Sequence, residues 1–312
     1  MRTGKSAALG TAVLILLLAI ATSAEPMPAQ STAATPVPEL PVIDKIWPDV
    51  NLNAVALGKD GAAQIIDVHL LRLFEDGAER PLHFLGSPDS PVSVALVIDS
   101  SGSIYKRKPA IVAAVTAIVT ALPPDSEVMA VLFADQSYLD LPFTPASKVD
   151  FSFLDRLQAR GPTALFDSIV ATENHFIAHA KYVRRAMVVL SDGIDNASNV
   201  SMAEVSRAME QPGAPVVYVC PPSKANILKM QRMDGQIYMS FLARWGGGVA
   251  FYLDPDPAAA AAKVVSAIRS QMVVQFTAAN PARNGKRRKL KLQFPDNNLQ
   301  VRAVPEYFAP AK

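Results

Sequence analysis

Disulfide chemistry is missing from this sequence: Cys220 is the only cysteine among 312 residues, so no internal disulfide can form and folding must rest on an apolar core. At the end of the apolar run Val216 to Cys220, that thiol is expected to be a small buried apolar group. Histidine is scarce as well. His175 and His179 have the i, i+4 spacing of a metal-binding helix face, but no Glu lies between them, so a packed or solvent-facing pair is expected rather than a zinc site. No G-x-S-x-G elbow occurs with a later histidine, which argues against a serine hydrolase. Charge of one sign is also lacking. The formal charge of +2 falls to zero if Arg2 and Lys5 are removed with a leader, leaving no global field to favour nucleic acid or a membrane surface. The run Lys286 to Lys289 is accordingly expected to form a solvated hairpin and a charge-protected edge strand rather than a nucleic-acid patch.

Apolar residues, in contrast, make up 50% of the chain, enough for a full core in one or two domains. Residues 1–24 read as a secretory signal: Arg2 and Lys5, the apolar run Ala12 to Ala21, then small residues up to Ala24. That run is short for a membrane span, and no cysteine follows it for lipid attachment. Residues 25–48, rich in Pro, Ala, Ser and Thr, are expected to be a flexible linker.

From about 90 to 271, short continuous apolar runs alternate with stretches of helical period. The runs VALVID, VMAVLF, AMVVLS, VVYVC and VAFYLD are expected as strands, and Pro109 to Leu122, Leu165 to Ala180, Met202 to Glu210 and Ala258 to Ser270 as helices. This alternation predicts a doubly wound, mostly parallel α/β sheet, with one antiparallel edge strand after the turn near Asp135. Residues 49–89 and 272–312 break the pattern with strand-like runs and turn signals. Each is too short to fold alone, so the two flanks are expected to pair into one small β domain.

The chemistry concentrates in three loops. Val94 to Ile98 runs straight into a D-x-S-x-S sequence carrying Asp99, Ser101 and Ser103. Ala186 to Leu190 runs into Ser191 and Asp192, and between them Gly161, Pro162 and Thr163 form a turn that opens a helix. In an open parallel sheet, ligands bind beyond the carboxyl ends of the strands, which is where these loops fall. Two carboxylates and three hydroxyls, with no His or Cys, form an oxygen set that suits a hard ion such as Mg²⁺, with Mn²⁺ or Ca²⁺ as alternatives.

These loops, in this order, resemble the metal-ion-dependent adhesion site of von Willebrand factor A domains. The resemblance implies that Ser101 and Ser103 ligate the metal by hydroxyl, that Thr163 joins in the ligand-ready state, and that Asp99 and Asp192 act mainly through bound waters. It also implies a protein partner whose Asp or Glu completes the shell, and no catalysis. Pro162 stands where relatives often have a second glycine, which stiffens the loop. Asp195 is near enough to influence the field without being a ligand. Phe74 to Gly77, Arg287 to Leu290 and Tyr307 resemble an acidobacterial subfamily of exported proteins of this kind.

The expected function is thus an exported, secreted or periplasmic binding module. Alternatives are an envelope protein in which the metal only stabilises, or a hydrolase. A phosphatase of the haloacid dehalogenase type would need a second carboxylate at the position of Ser101.

Overall fold

The computed structural model describes residues 47–86, 88–222 and 230–311, apart from the side chains of 230–234. The expected signal segment and most of the expected linker lie outside the described residues. All described residues belong to one compact unit. Among them, no helix is long and apolar enough to cross a membrane.

The amino-terminal flank supplies β1 (Asp49–Gly58), β2 (Ala63–Gln64), β3 (Arg72–Glu75), β4 (Ala78–Arg80) and β5 (His83–Gly86). The central region follows as β6 (Ser93–Asp99), α1 (Lys108–Thr120), β7 (Glu127–Phe133), β8 (Ser137–Pro145), α2 (Leu165–His179), β9 (Arg185–Leu190), α3 (Met202–Met209), β10 (Val216–Val219), α4 (Met230–Trp245) and α5 (Pro257–Ser270). The carboxyl-terminal flank adds β11 (Met272–Thr277), β12 (Arg287–Gln293), β13 (Leu299–Arg302) and β14 (Glu306–Phe308).

The central sheet has the order β10-β9-β6-β7-β8, parallel except for the β7–β8 pair, so the fold is mixed α/β with parallel strands at its centre. Alternate residues of one strand enter different cores. Val94, Leu96 and Ile98 pack with α1 and α5, whereas Ala95 and Val97 pack with α2, α3 and α4. Complete burial of Leu96 or Ile98 stabilises by about 1.5–3 kcal/mol each, which holds β6 in its register. Pro109 stands in the first turn of α1, Asp256 caps the α5 backbone at Ala258 and Ala259, and Ser201 with Glu204 closes a capping box on α3.

Two sequence expectations change. Val249 to Asp254 forms no strand: a single bridge joins Ala250 to Val219. Pro221 and Pro222 have no N–H to donate, so the ladder beyond β10 is one-way, with Leu253 and Asp254 donating to the proline carbonyls. The basic run is no edge either, since β12 lies between β14 and β3. Arg288 is buried there because Glu75 and Tyr307 meet it: the Tyr307 hydroxyl donates to Glu75 Oε1 at 2.5 Å, and Arg288 Nη1 lies 3.4 Å from the same oxygen. Helix α4 has no counterpart among the expected helices.

The flanks interleave. β1 pairs with β11 and β13, and β11 with β5, while β3 pairs with β12 and β4. Asn53 of β1 accepts from Arg185 N and donates to the Ala214 carbonyl, fastening this layer to the central sheet.

Candidate metal centre

β6 is flanked by β7 and β9, both parallel to it, so three carboxyl ends open at one edge. There the Asp99 carboxylate, fully buried, accepts from Ser101 N at 2.8 Å through Oδ1 and from Ser191 Oγ at 2.6 Å through Oδ2. The first bond folds the loop back over the strand end and places the Ser101 and Ser103 hydroxyl oxygens 3.1 Å apart. Ser101 is buried and Ser103 exposed, so the pair spans from the interior to the surface.

The second loop is pinned to the first by backbone. Arg160 N donates to Ser100 O and Gly102 N to Gly161 O, both at 3.1 Å, and Gln158 N donates to Ser100 Oγ at 2.9 Å. Gly161 makes the turn at φ +87°, a conformation that L side chains rarely adopt. Thr163, buried, is clasped by the third loop: its N–H donates to Asn196 Oδ1 at 2.7 Å, and its carbonyl accepts from Asn196 N and Ala197 N.

In the third loop, Ser191 Oγ also accepts from Gly193 N at 3.0 Å, and half-buried Asp192 accepts from Ile194 N. Asp195 Oδ1 caps the start of α2 through Leu165 N at 2.9 Å and takes the Ser198 hydroxyl at 2.6 Å. Asp167 in turn accepts from Asn199 N and Val200 N. Gly193, at φ +82°, lies directly against Gly235 of α4, where an added Cβ would come within 2.1 Å of the Gly235 carbonyl oxygen. Any side chain at either glycine would push the helix off the loop.

Burial is the main cause that raises the Asp99 carboxyl to about 6; the bonds from Ser101 and Ser191 oppose it, and the neighbouring Asp192 raises it further. Among the described residues, no cationic side chain figures among the causes acting on Asp99. Two carboxylates in Coulombic reach, beside hydroxyls that reach the surface, have the composition a hard divalent cation requires. Among the described residues there is no group of three or more His, Cys, Asp or Glu placed to hold a metal. His175 and His179 stack on each other at 4.1 Å, with His179 Nδ1 against the His175 carbonyl.

The five residues singled out from the sequence thus fall in three mutually bonded loops. Asp99, Ser101 and Ser103 share direct contacts, Asp192 shares the electrostatic environment of Asp99, and Thr163 is fixed by its backbone. Sequence reasoning passed over Ser191, Asn196, Asp167 and Gly235. Ser191 carried a signal, as a polar residue directly before Asp192 at a strand end. The others depend on contacts over 30 residues or more.

The family profile of the von Willebrand factor type A domain matches residues 94–194. Among solved structures, the chain is similar to an aerotolerance-related membrane protein from Bacteroides fragilis, at 18% identity over 57% of this chain and 98% of that one, with a TM-score of 0.45. It is similar to von Willebrand factor type A from Catenulispora acidiphila, at 13% identity over 84% of this chain and 73% of that one, TM-score 0.44. It is also similar to the pilus adhesin SpaC from Lactobacillus rhamnosus GG in its open conformation, at 12% identity over 80% of this chain and 49% of that one, TM-score 0.46. No curated protein matches the chain significantly.

Proposed function

We propose that this chain, which carries a von Willebrand factor type A domain over residues 94–194, is an exported protein-binding module of the adhesion type without catalytic activity. Its α/β region is read as a doubly wound sheet of Rossmann-like kind, with the flanks as a small β domain. Ser101, Ser103 and Thr163 would hold Mg²⁺, or Mn²⁺ or Ca²⁺, by hydroxyl, and Asp99 and Asp192 through water. The bound ion would supply a positive centre, weakly neutralised by hydroxyls, for an Asp or Glu of the partner. The chain's own work is positioning. Ser191 orients Asp99, Asn196 fixes Thr163, and Asp195 ties the third loop to α2.

The observation that carries this reading is the buried Asp99 carboxylate beside Asp192, with no cation among the described residues acting on it and Ser103 exposed to solvent. Export rests on residues 1–24. The test is capture of envelope proteins by the wild type and Asp99→Ala, with Mg²⁺ and with chelator. Partners lost both with chelator and in the variant support metal-mediated adhesion. Identical partners in all four arms overturn it. Melting followed without partner separates a merely stabilising metal, because an ion that binds only the folded state adds about 2.7 kcal/mol at a hundredfold excess over its Kd whether or not a partner binds.

A further inference from the structure

Helix α4 meets the third loop of the candidate metal centre at Gly235 and runs on past it. Trp245 is ten residues beyond Gly235, about 15 Å along the helix axis. At that far end Phe241 and Trp245, one turn apart, stack with their rings nearly parallel, centroids 5.5 Å apart at 14°. Phe241 is 38% exposed, much for a phenylalanine on a packed helix. Opposite them runs the outer face of β12 and β3. Lys291 pairs with Phe74 in register, so both point to one face, and Lys289, two residues along, points the same way. Leu290 and Leu292 point inward, packed against the core around Leu73.

Between helix and sheet lies a cleft of about 760 Å³ lined by Phe74, Phe241, Trp245, Arg244, Lys289 and Lys291, among others. The three cations make no ion pair or side-chain hydrogen bond among the described residues. Two carboxylates lie close by: Glu306, engaged by Arg287 at 3.0 Å, and Asp76, whose Oδ1 accepts from Lys289 N at 2.9 Å. The local field is therefore positive in a chain whose overall charge is near balance. Lysines on a strand often guard an edge against pairing; here Lys289 is already paired with Glu306 of β14 and Lys291 with Phe74 of β3, so neither stands on an unpaired strand.

We infer that this cleft is a second binding surface, which takes an extended acidic peptide segment of a partner protein. The spacing selects that partner. Residues i and i+2 of a strand lie about 6.6 Å apart on one face, and an extended peptide with acidic residues at alternate positions repeats at the same interval, so two carboxylates meet Lys289 and Lys291 together. Arg244 takes a third. The stacked Phe241–Trp245 platform covers an aromatic or aliphatic side chain of the peptide, and Trp, Phe and Arg are the residues enriched where interfaces concentrate binding energy. This surface needs no metal and does not depend on the proposed role of Asp99.

The test uses the full chain and a fluorescein-labelled dodecapeptide in which Glu alternates with Ser around one central Tyr, read by anisotropy. Wild type binds it with chelator present, and Asp99→Ala binds equally. The double variant Lys289→Glu/Lys291→Glu, changed only at exposed side chains, weakens binding about tenfold or more, and Phe241→Ala weakens it less. A peptide of the same composition with its Glu residues in one block binds more weakly than the alternating one. Unchanged binding in the double variant overturns the inference, as does no binding at all. Binding of polygalacturonate in place of the peptide overturns it in favour of an acidic glycan.

Discussion

The central sheet buries polar side chains at both ends and treats them in opposite ways. At the amino end, Arg184 donates to the carbonyls of Ser90, Ile268 and Arg269, and Arg185 to those of Tyr182 and Gly213. Gln271 reaches the Arg185 carbonyl, and Ser93 bridges Glu127 and Tyr182 N. Most of these bonds end on backbone, and they tie the amino ends of β6 and β9 to α5 and to the loops around them. At the carboxyl end, Asp99 and Asp192 crowd like charges together, and the hydroxyl pair runs out to the surface. Buried polarity marks structure where its bonds close within the chain, and a site where charge is left for something outside to balance.

That contrast can be broken at three points. Arg184→Ala orphans several buried carbonyls at once, so a loss of about 3 kcal/mol is expected in urea denaturation. A loss below about 1 kcal/mol would show that the amino end is not held by these bonds.

Glu173 is the amino end's own exception. Fully buried near Arg185, it has both carboxylate oxygens without a hydrogen-bond partner, and burial pushes it from 4.5 up to about 8 despite the opposing charge of Arg185. The folded state keeps its proton where the unfolded chain releases it. The stabilisation is therefore complete below pH 4.5 and lost as pH rises through 8. Stability is expected to fall by about 3–4 kcal/mol between pH 5 and 8, and Glu173→Gln should flatten that slope. The same slope in both proteins would assign the pH dependence elsewhere.

Ser103→Ala should have the smallest effect on folding, within about 0.5 kcal/mol, because the hydroxyl is exposed. Its Mg²⁺ affinity, read by titration calorimetry, is expected to fall clearly. A variant that binds Mg²⁺ as the wild type does would remove Ser103 from the site.

Much of this was legible locally. The continuous apolar runs mark the parallel strands, since strands covered on both faces have no polar alternation, and the antiparallel β8 follows from the turn near Asp135. The helix bounds agree within about two residues, the ordinary fraying of an end. Helix α4 was missed because no regular apolar period announces it: its buried Leu242 and Ala243 sit beside exposed Phe241 and Arg244. The run Lys286 to Lys289 misled for a related reason. Charge density says nothing about a buried partner, and Glu75, which draws Arg288 inside, is 213 residues away.

By itself the sequence determined four of the five expected central strands and that Asp99, Ser101 and Ser103 leave one of them together, because an apolar run and the loop after it are neighbours along the chain. Only the tertiary structure decided that Ser191 would hold Asp99, that Asn196 would clasp Thr163, and that Gly235 would let α4 rest on the third loop. Those contacts join residues far apart in the chain, and hydrogen-bond geometry and close packing between such residues exist only once the sheet has brought them together.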